Sequence, residues 1–192
     1  CRRNVARMLE RIRRDFPGCY IWLMRPMMDL GVWSARNASC LFTIDEFSKI
    51  EGLPHLKDQP LNVLWGDKMR LWSRFRLHHH FLPHYLDQPL VFPYTGSKIP
   101  GAASWSGEKL DYALLSALSC SPNQAYYLPP PEDMPADDRR EFRRWLDWGR
   151  RHIRHLFVRR DLPGWPHVGH VDGSAHLVDG EGFVFLFNPN KT

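Results

Sequence analysis

Apolar positions along this chain change their period several times, and each change predicts an element. Val5, Met8, Leu9, Ile12 and Phe16 recur at helical spacing over 2–16, and Pro17-Gly18 stops them. Tyr20-Ile21-Trp22-Leu23-Met24 is then a short continuous apolar run, closed by Arg25-Pro26. Such a run predicts a strand buried on both faces, as in parallel sheets. A short polar stretch with Trp33 and Arg36 leads to a second run, Cys40-Leu41-Phe42-Thr43-Ile44, which stops at Asp45-Glu46.

Residues 48–60 read as a loop and 61–75 as a helix carrying Val63, Leu64, Met69, Leu71 and Trp72. A third strand is predicted from Leu77 to Phe81. The proline- and glycine-rich stretch from His84 to Gly107 follows as a long loop, of the length usually kept for function or disorder. Glu108 to Ser119 predicts a helix and Gln124 to Leu128 a fourth strand, ended by three prolines at 129–131. The next helix starts near Pro135, has Asp137 and Asp138 in its first turn and runs to about Phe157. Beyond Pro163 and Pro166, the runs 174–178 and 183–187 flank a Gly-rich turn at 179–182, a hairpin signal.

One helix, four strand–helix alternations and a hairpin imply α/β architecture with a parallel sheet and helical crossovers. Four such units are half of an eight-stranded (β/α)₈ TIM barrel. The expected organisation is a partial TIM barrel over 1–158, the last four βα units, and the start of a C-terminal β-domain, of β-sandwich type, over 167–192. An open α/β sheet is the alternative. No Gly-x-Gly-x-x-Gly or Gly-x-x-x-x-Gly-Lys loop follows any strand, which weakens a nucleotide-binding reading.

Composition narrows the function classes. Hydrophobic residues make up 43% of the 192, so the chain is globular. The net charge of +5 comes largely from arginine clusters on the first and last long predicted helices. Acids such as Glu10, Asp138 and Asp147 share those helices, so solvated faces explain the clusters better than nucleic acid. No apolar run of about 18 residues occurs, so no membrane span is expected. The four cysteines form no Cys-x-x-Cys pair, and the redox compartment is left open. The chain opens on Cys1 within a helical pattern and ends directly after a strand, so both ends read as cut and localisation is undetermined. The other N-terminal half of the barrel is an expected partner within the same protein.

Barrel active sites lie at the C-terminal ends of the strands. Here those ends carry Arg25 and Asp29, then Asp45 and Glu46, then the run from His80 to His84, with Trp22, Trp33, Trp65 and Tyr85 as aromatic candidates. Glycoside hydrolysis needs one carboxylic acid to protonate the leaving oxygen and a second carboxylate to attack or to activate water. A helix N-cap is an equally good explanation for an acid just after a strand.

The segment Arg25-Pro-Met-Met-Asp29-Leu-Gly31, followed by Phe42-Thr43-Ile-Asp45, resembles the glycoside hydrolase clan of α-galactosidases and raffinose synthases. The resemblance implies a retaining carbohydrate-active enzyme with Asp45 as acid/base and a sugar subsite shaped by Arg25 and by Asp29, 16 positions before Asp45. From their places at strand ends and in the loop, Glu46 is an alternative acid and Trp33, His80, His84 and Asp87 are further substrate-binding candidates, though Asp87 could equally cap a turn. The clan's nucleophile would lie upstream of Cys1. Its glycine run before the arginine is absent here, and only Thr-x-Asp of its second motif remains.

No cofactor or metal is implied. A non-catalytic carbohydrate-binding scaffold on the same barrel is a competing reading. So is a metal-dependent hydrolase built on His78, His79, His80, His84 and Asp87, in which His78 and His80 would share one strand face. Asn123-Gln124 and Tyr126-Tyr127 are further candidates for the rim of the sheet, or simply interior packing.

Overall fold

A computed structural model describes residues 2–24, 36–42, 61–79, 83–91, 107–126, 131–166 and 170–188. The architecture is mixed α/β. Helix α1 (Arg2–Asp15) lays Val5, Leu9 and Ile12 against Ile21, Leu23 and Leu41 of β1 (Trp22–Met24) and β2 (Cys40–Phe42). Met8 and Phe16, counted into the apolar stripe from spacing, lie exposed at its flanks. Trp22 is 48% exposed while Leu23 is buried, so among the described residues β1 is covered on one face and not on both as its apolar run predicted.

The strands β1 and β2 pair in parallel, with Met24 opposite Phe42. A parallel bridge from Leu41 to Asp87 continues the array, and β3 (Leu90–Val91) pairs in parallel with β4 (Ala125–Tyr126). The four strands therefore follow one another in chain order, all pointing the same way. Among the described residues they do not close into a barrel.

Helix α2 spans Leu61–His79, and so contradicts the third strand predicted from Leu77 to Phe81. Arg74 and His78 stand one helical turn apart and both reach Asp161, a pairing that only the helical period permits. The third strand sits instead at Leu90–Val91, inside the stretch that reads as loop because prolines surround it. Helix α3 (Leu110–Cys120) runs alongside α2 in the same direction. Asn62 Nδ2 donates to Glu108 O at 2.7 Å near their starts, and Arg159 Nη1 spans Ser73 Oγ and Cys120 O near their ends. Gly66 makes this approach possible, since a Cβ there would lie 2.6 Å from Ser116 Oγ. Trp65, Met69, Leu110, Leu114 and Ala117 form the shared core, against which Tyr126 and Phe142 pack.

Helices α4 (Ala136–Arg151) and α5 (Ile153–Leu156) divide the predicted last helix at His152. The antiparallel sheet β5 (Arg160–Asp161), β6 (Asp172–Val178) and β7 (Glu181–Phe187) packs Phe185 and Phe187 against Leu118 and Leu156. The hairpin lies where the two runs around the Gly-rich turn predict it, with each strand starting two residues earlier than its run. Its two-residue loop holds Asp179 at φ 55° and Gly180 at φ 83°, the left-handed pair that matches strand twist.

Candidate functional site

Parallel pairing fixes where the chain leaves the sheet. With Met24 beside Phe42, β1 and β2 finish side by side at one edge. Arg25, Asp29, Trp33, Asp45, Glu46 and His80 all lie outside the described residues, as does Tyr127.

The opposite, amino-terminal edge is stitched by side chains. Arg13 of α1 donates to Cys19 O at 2.9 Å, Asn37 O at 2.8 Å and Ser39 Oγ at 3.1 Å. Ser39 Oγ also accepts from Ile21 N. Asn123, a rim candidate from sequence, belongs to this brace. Its Nδ2 donates to Ser39 O and to Tyr85 O, and its Oδ1 accepts from Tyr20 Oη at 3.3 Å. Asn123 precedes its strand, and so stands at the edge away from the strand's carboxyl end.

His84 and Asp87, read from sequence as sugar contacts, are interior residues. His84 Nε2 donates to Leu156 O at 3.1 Å, and burial holds its imidazole below the ordinary histidine range. Asp87 is 1% exposed and accepts from Arg76 Nη2 at 2.7 Å. Both side chains are taken up in joining the first turn of the third strand to α2 and α5. His78 lies at the end of α2 and bonds Asp161 at 2.9 Å, so it does not share a strand face with His80 as the metal reading required. Among the described residues no group of three His, Cys, Asp or Glu side chains is arranged to hold a metal ion.

No known family, curated protein or solved structure matches the chain.

The densest polar constellation among the described residues lies where α2 meets the antiparallel sheet. Arg70 Nε donates to Asp172 Oδ1 at 2.8 Å, and Arg70 Nη2 to Asp172 Oδ2 at 2.9 Å and to Asp67 Oδ1 at 2.7 Å. Its Nη1 donates to Ser116 Oγ at 2.6 Å, and the Phe187 ring covers the guanidinium at 3.8 Å. Burial is the largest single influence and disfavours this charge, but the hydrogen bonds Arg70 donates to Asp172, together with the charges of Tyr112, Asp172 and Asp67, outweigh it and raise the guanidinium pKa. Burial pushes the Asp67 carboxyl up, against the pull of Arg70 and the Tyr112 hydroxyl that donates to it at 2.6 Å.

Beside this pair, Arg159 Nε donates to Asp161 Oδ1 at 2.8 Å, and Arg74 caps the carbonyls of Leu162 and Gly164. Burial would raise Asp161, yet Arg159, then Arg74 and His78, hold it below the usual carboxylate range.

The cleft that Arg70, Arg74, Arg159, Asp161, Asp172 and Ser174 line has room for about one water molecule. The guanidinium donors are spent on protein acceptors, so the constellation locks α2 to the sheet and leaves no open ligand site. Sequence reading missed it. The available signal was alternation: Asp172, Ser174 and His176 occupy every second position of β6, and that polar set faces inward.

Proposed function

We propose that this chain is the C-terminal part of a retaining glycoside hydrolase of α-galactosidase type. The described strands would be the last four of a (β/α)₈ barrel, and β5–β7 the entry to a following β-sandwich. Asp45 is assigned as general acid/base, with Glu46 as the alternative acid. Arg25 and Asp29 shape the sugar subsite, Trp33 and His80 are further contacts, and a carbohydrate is the partner.

The observation that carries the reading is the parallel register of β1 and β2. These two strands finish side by side, and in the sequence the arginine–aspartate segment follows the one and the Thr43-x-Asp45 segment follows the other. Two further features support it. The parallel strands follow each other in chain order, and α2 and α3 run side by side in one direction, as successive βα units do.

In the proposed chemistry Asp45 gives its proton to the glycosidic oxygen as the bond breaks, then takes one from the water that releases the sugar. The nucleophilic carboxylate is supplied from outside residues 1–192.

The test is hydrolysis of aryl and alkyl α-galactosides by the full-length protein and its Asp45→Asn variant. Loss of a positioned general acid slows a poor leaving group by about 10²–10⁴-fold. Dinitrophenyl galactoside, whose leaving group needs no proton, should lose far less in the bond-breaking step. Equal turnover of the alkyl galactoside by both proteins removes Asp45 from the acid role. Absence of any glycoside turnover or sugar binding removes the whole reading.

A further inference from the structure

Three imidazoles converge on one phenyl ring at the seam between the helices and the hairpin. His176 of β6 stacks on Phe183 of β7, with ring centroids 5.5 Å apart and planes 20° from parallel. His152, between α4 and α5, and His155 of α5 each lie 5.7 Å from the same ring. The two are 6.0 Å from each other, and Trp148 closes the cluster at 4.7 Å from Phe183.

His176 is fully enclosed. Its Nε2 lies 2.9 Å from Ser174 Oγ, and the backbone carbonyls of His155 and Val158 are the other oxygens acting on it. The charged or titratable groups that act on it are Arg159, before β5, and His84, in the turn before β3, and both oppose a positive charge. On the surrounding elements, Arg154 of α5 is engaged by Asp179 in the hairpin turn. A proton placed here meets the hydroxyl of Ser174, two backbone carbonyls and the opposing charge of Arg159.

We propose that His176, packed with His152 and His155 around Phe183, makes an acid-sensitive seam, and that protonation of His176 loosens the β6–β7 hairpin from α4 and α5. The neutral imidazole packs as an aromatic ring. The imidazolium must be hydrated, and hydration requires the hairpin to lift. Burial first, and Arg159 next, hold His176 down at about 4, so the lifted form takes up the proton well before the packed form does. The seam lies away from the carboxyl edge of the parallel strands, so the inference stands or falls independently of the glycosidase reading.

The test is amide hydrogen exchange of the full chain at about pH 7.5 and about pH 5, corrected for the intrinsic exchange rate. Protection over Asp172–Phe187 should fall roughly tenfold or more at the lower pH and recover on return, while Arg2–Phe42 changes little. In His176→Asn the hairpin response to pH should shrink sharply. Should that variant not fold, His155→Gln removes one partner of the cluster and should reduce the response. Hairpin protection that is the same at both pH values overturns the proposal. So does an equal loss in every element, or a full acid response in the folded His176 or His155 variant.

Discussion

Arg70 of α2 and Asp172 of β6 meet in a two-point ion pair, with both side chains 3% exposed, 102 residues apart in the chain. The pair joins the helical layer to the antiparallel sheet. Arg70→Met would leave Asp172 and Asp67 buried without their cation, and breaking a buried pair from one side costs about 3–5 kcal/mol. Urea unfolding should show that loss. Arg70→Lys should recover only part of it, because an ammonium cannot reproduce the planar two-point contact. The double variant Arg70→Met/Asp172→Leu should be more stable than Arg70→Met alone, since it removes the stranded carboxylate.

Acid should act on stability in two steps. The His176 imidazole is depressed to about 4 in the fold against 6.5 as its ordinary value. Between those values the unfolded chain binds the proton and the folded chain does not. The contribution of the neutral ring is complete above about pH 6.5 and is lost as pH falls toward 4, worth roughly 3 kcal/mol at most. Asp161 is held below its ordinary 3.8, so its contribution is present above that pH and lost only below it. Denaturant midpoints measured across this range should show the first loss shrink in His176→Asn. The second should disappear in Asp161→Asn.

Gly66→Ala should destabilise through contact and not through backbone conformation. The added methyl would lie 2.6 Å from Ser116 Oγ and 2.9 Å from the Tyr112 ring, both on α3. Separating α2 from α3 also strains the Tyr112–Asp67 hydrogen bond. Overpacking of this kind costs about 1–3 kcal/mol, which thermal unfolding would report.

Asn123→Ala removes the side chain that bridges the approaches to β2 and to the third strand. About 1 kcal/mol should be lost, since the carbonyl of Ser39 is part-buried while that of Tyr85 is exposed and can take water in exchange. Hydrogen exchange at β2 should rise more than in β6 and β7.

Periodicity was a good guide where one face alone is buried. Helix α1 and the hairpin announce themselves in that way, and the Asp179-Gly180 turn is legible from residue type alone. Helix α2 defeated it because its interior face is charged. Arg70, Arg74 and Arg76 are buried, so polar residues no longer mark the solvent side, and the helix was cut short at the histidines. For the same reason His84 and Asp87 read as exposed ligands when they are interior braces. Asp172 meets Arg70 across 102 residues and Asp161 meets His78 across 83, and no local window carries such contacts. The candidate acids at 29 and 45 lie outside the described residues.

The stitching by Arg13, Ser39 and Asn123 makes the starting ends of the strands interdependent. Arg13 ties the approaches to β1 and β2, and Asn123, just before β4, ties the approaches to β2 and β3. Each of these side chains serves more than one strand, so loosening one tie unsettles the footing of its neighbours as well.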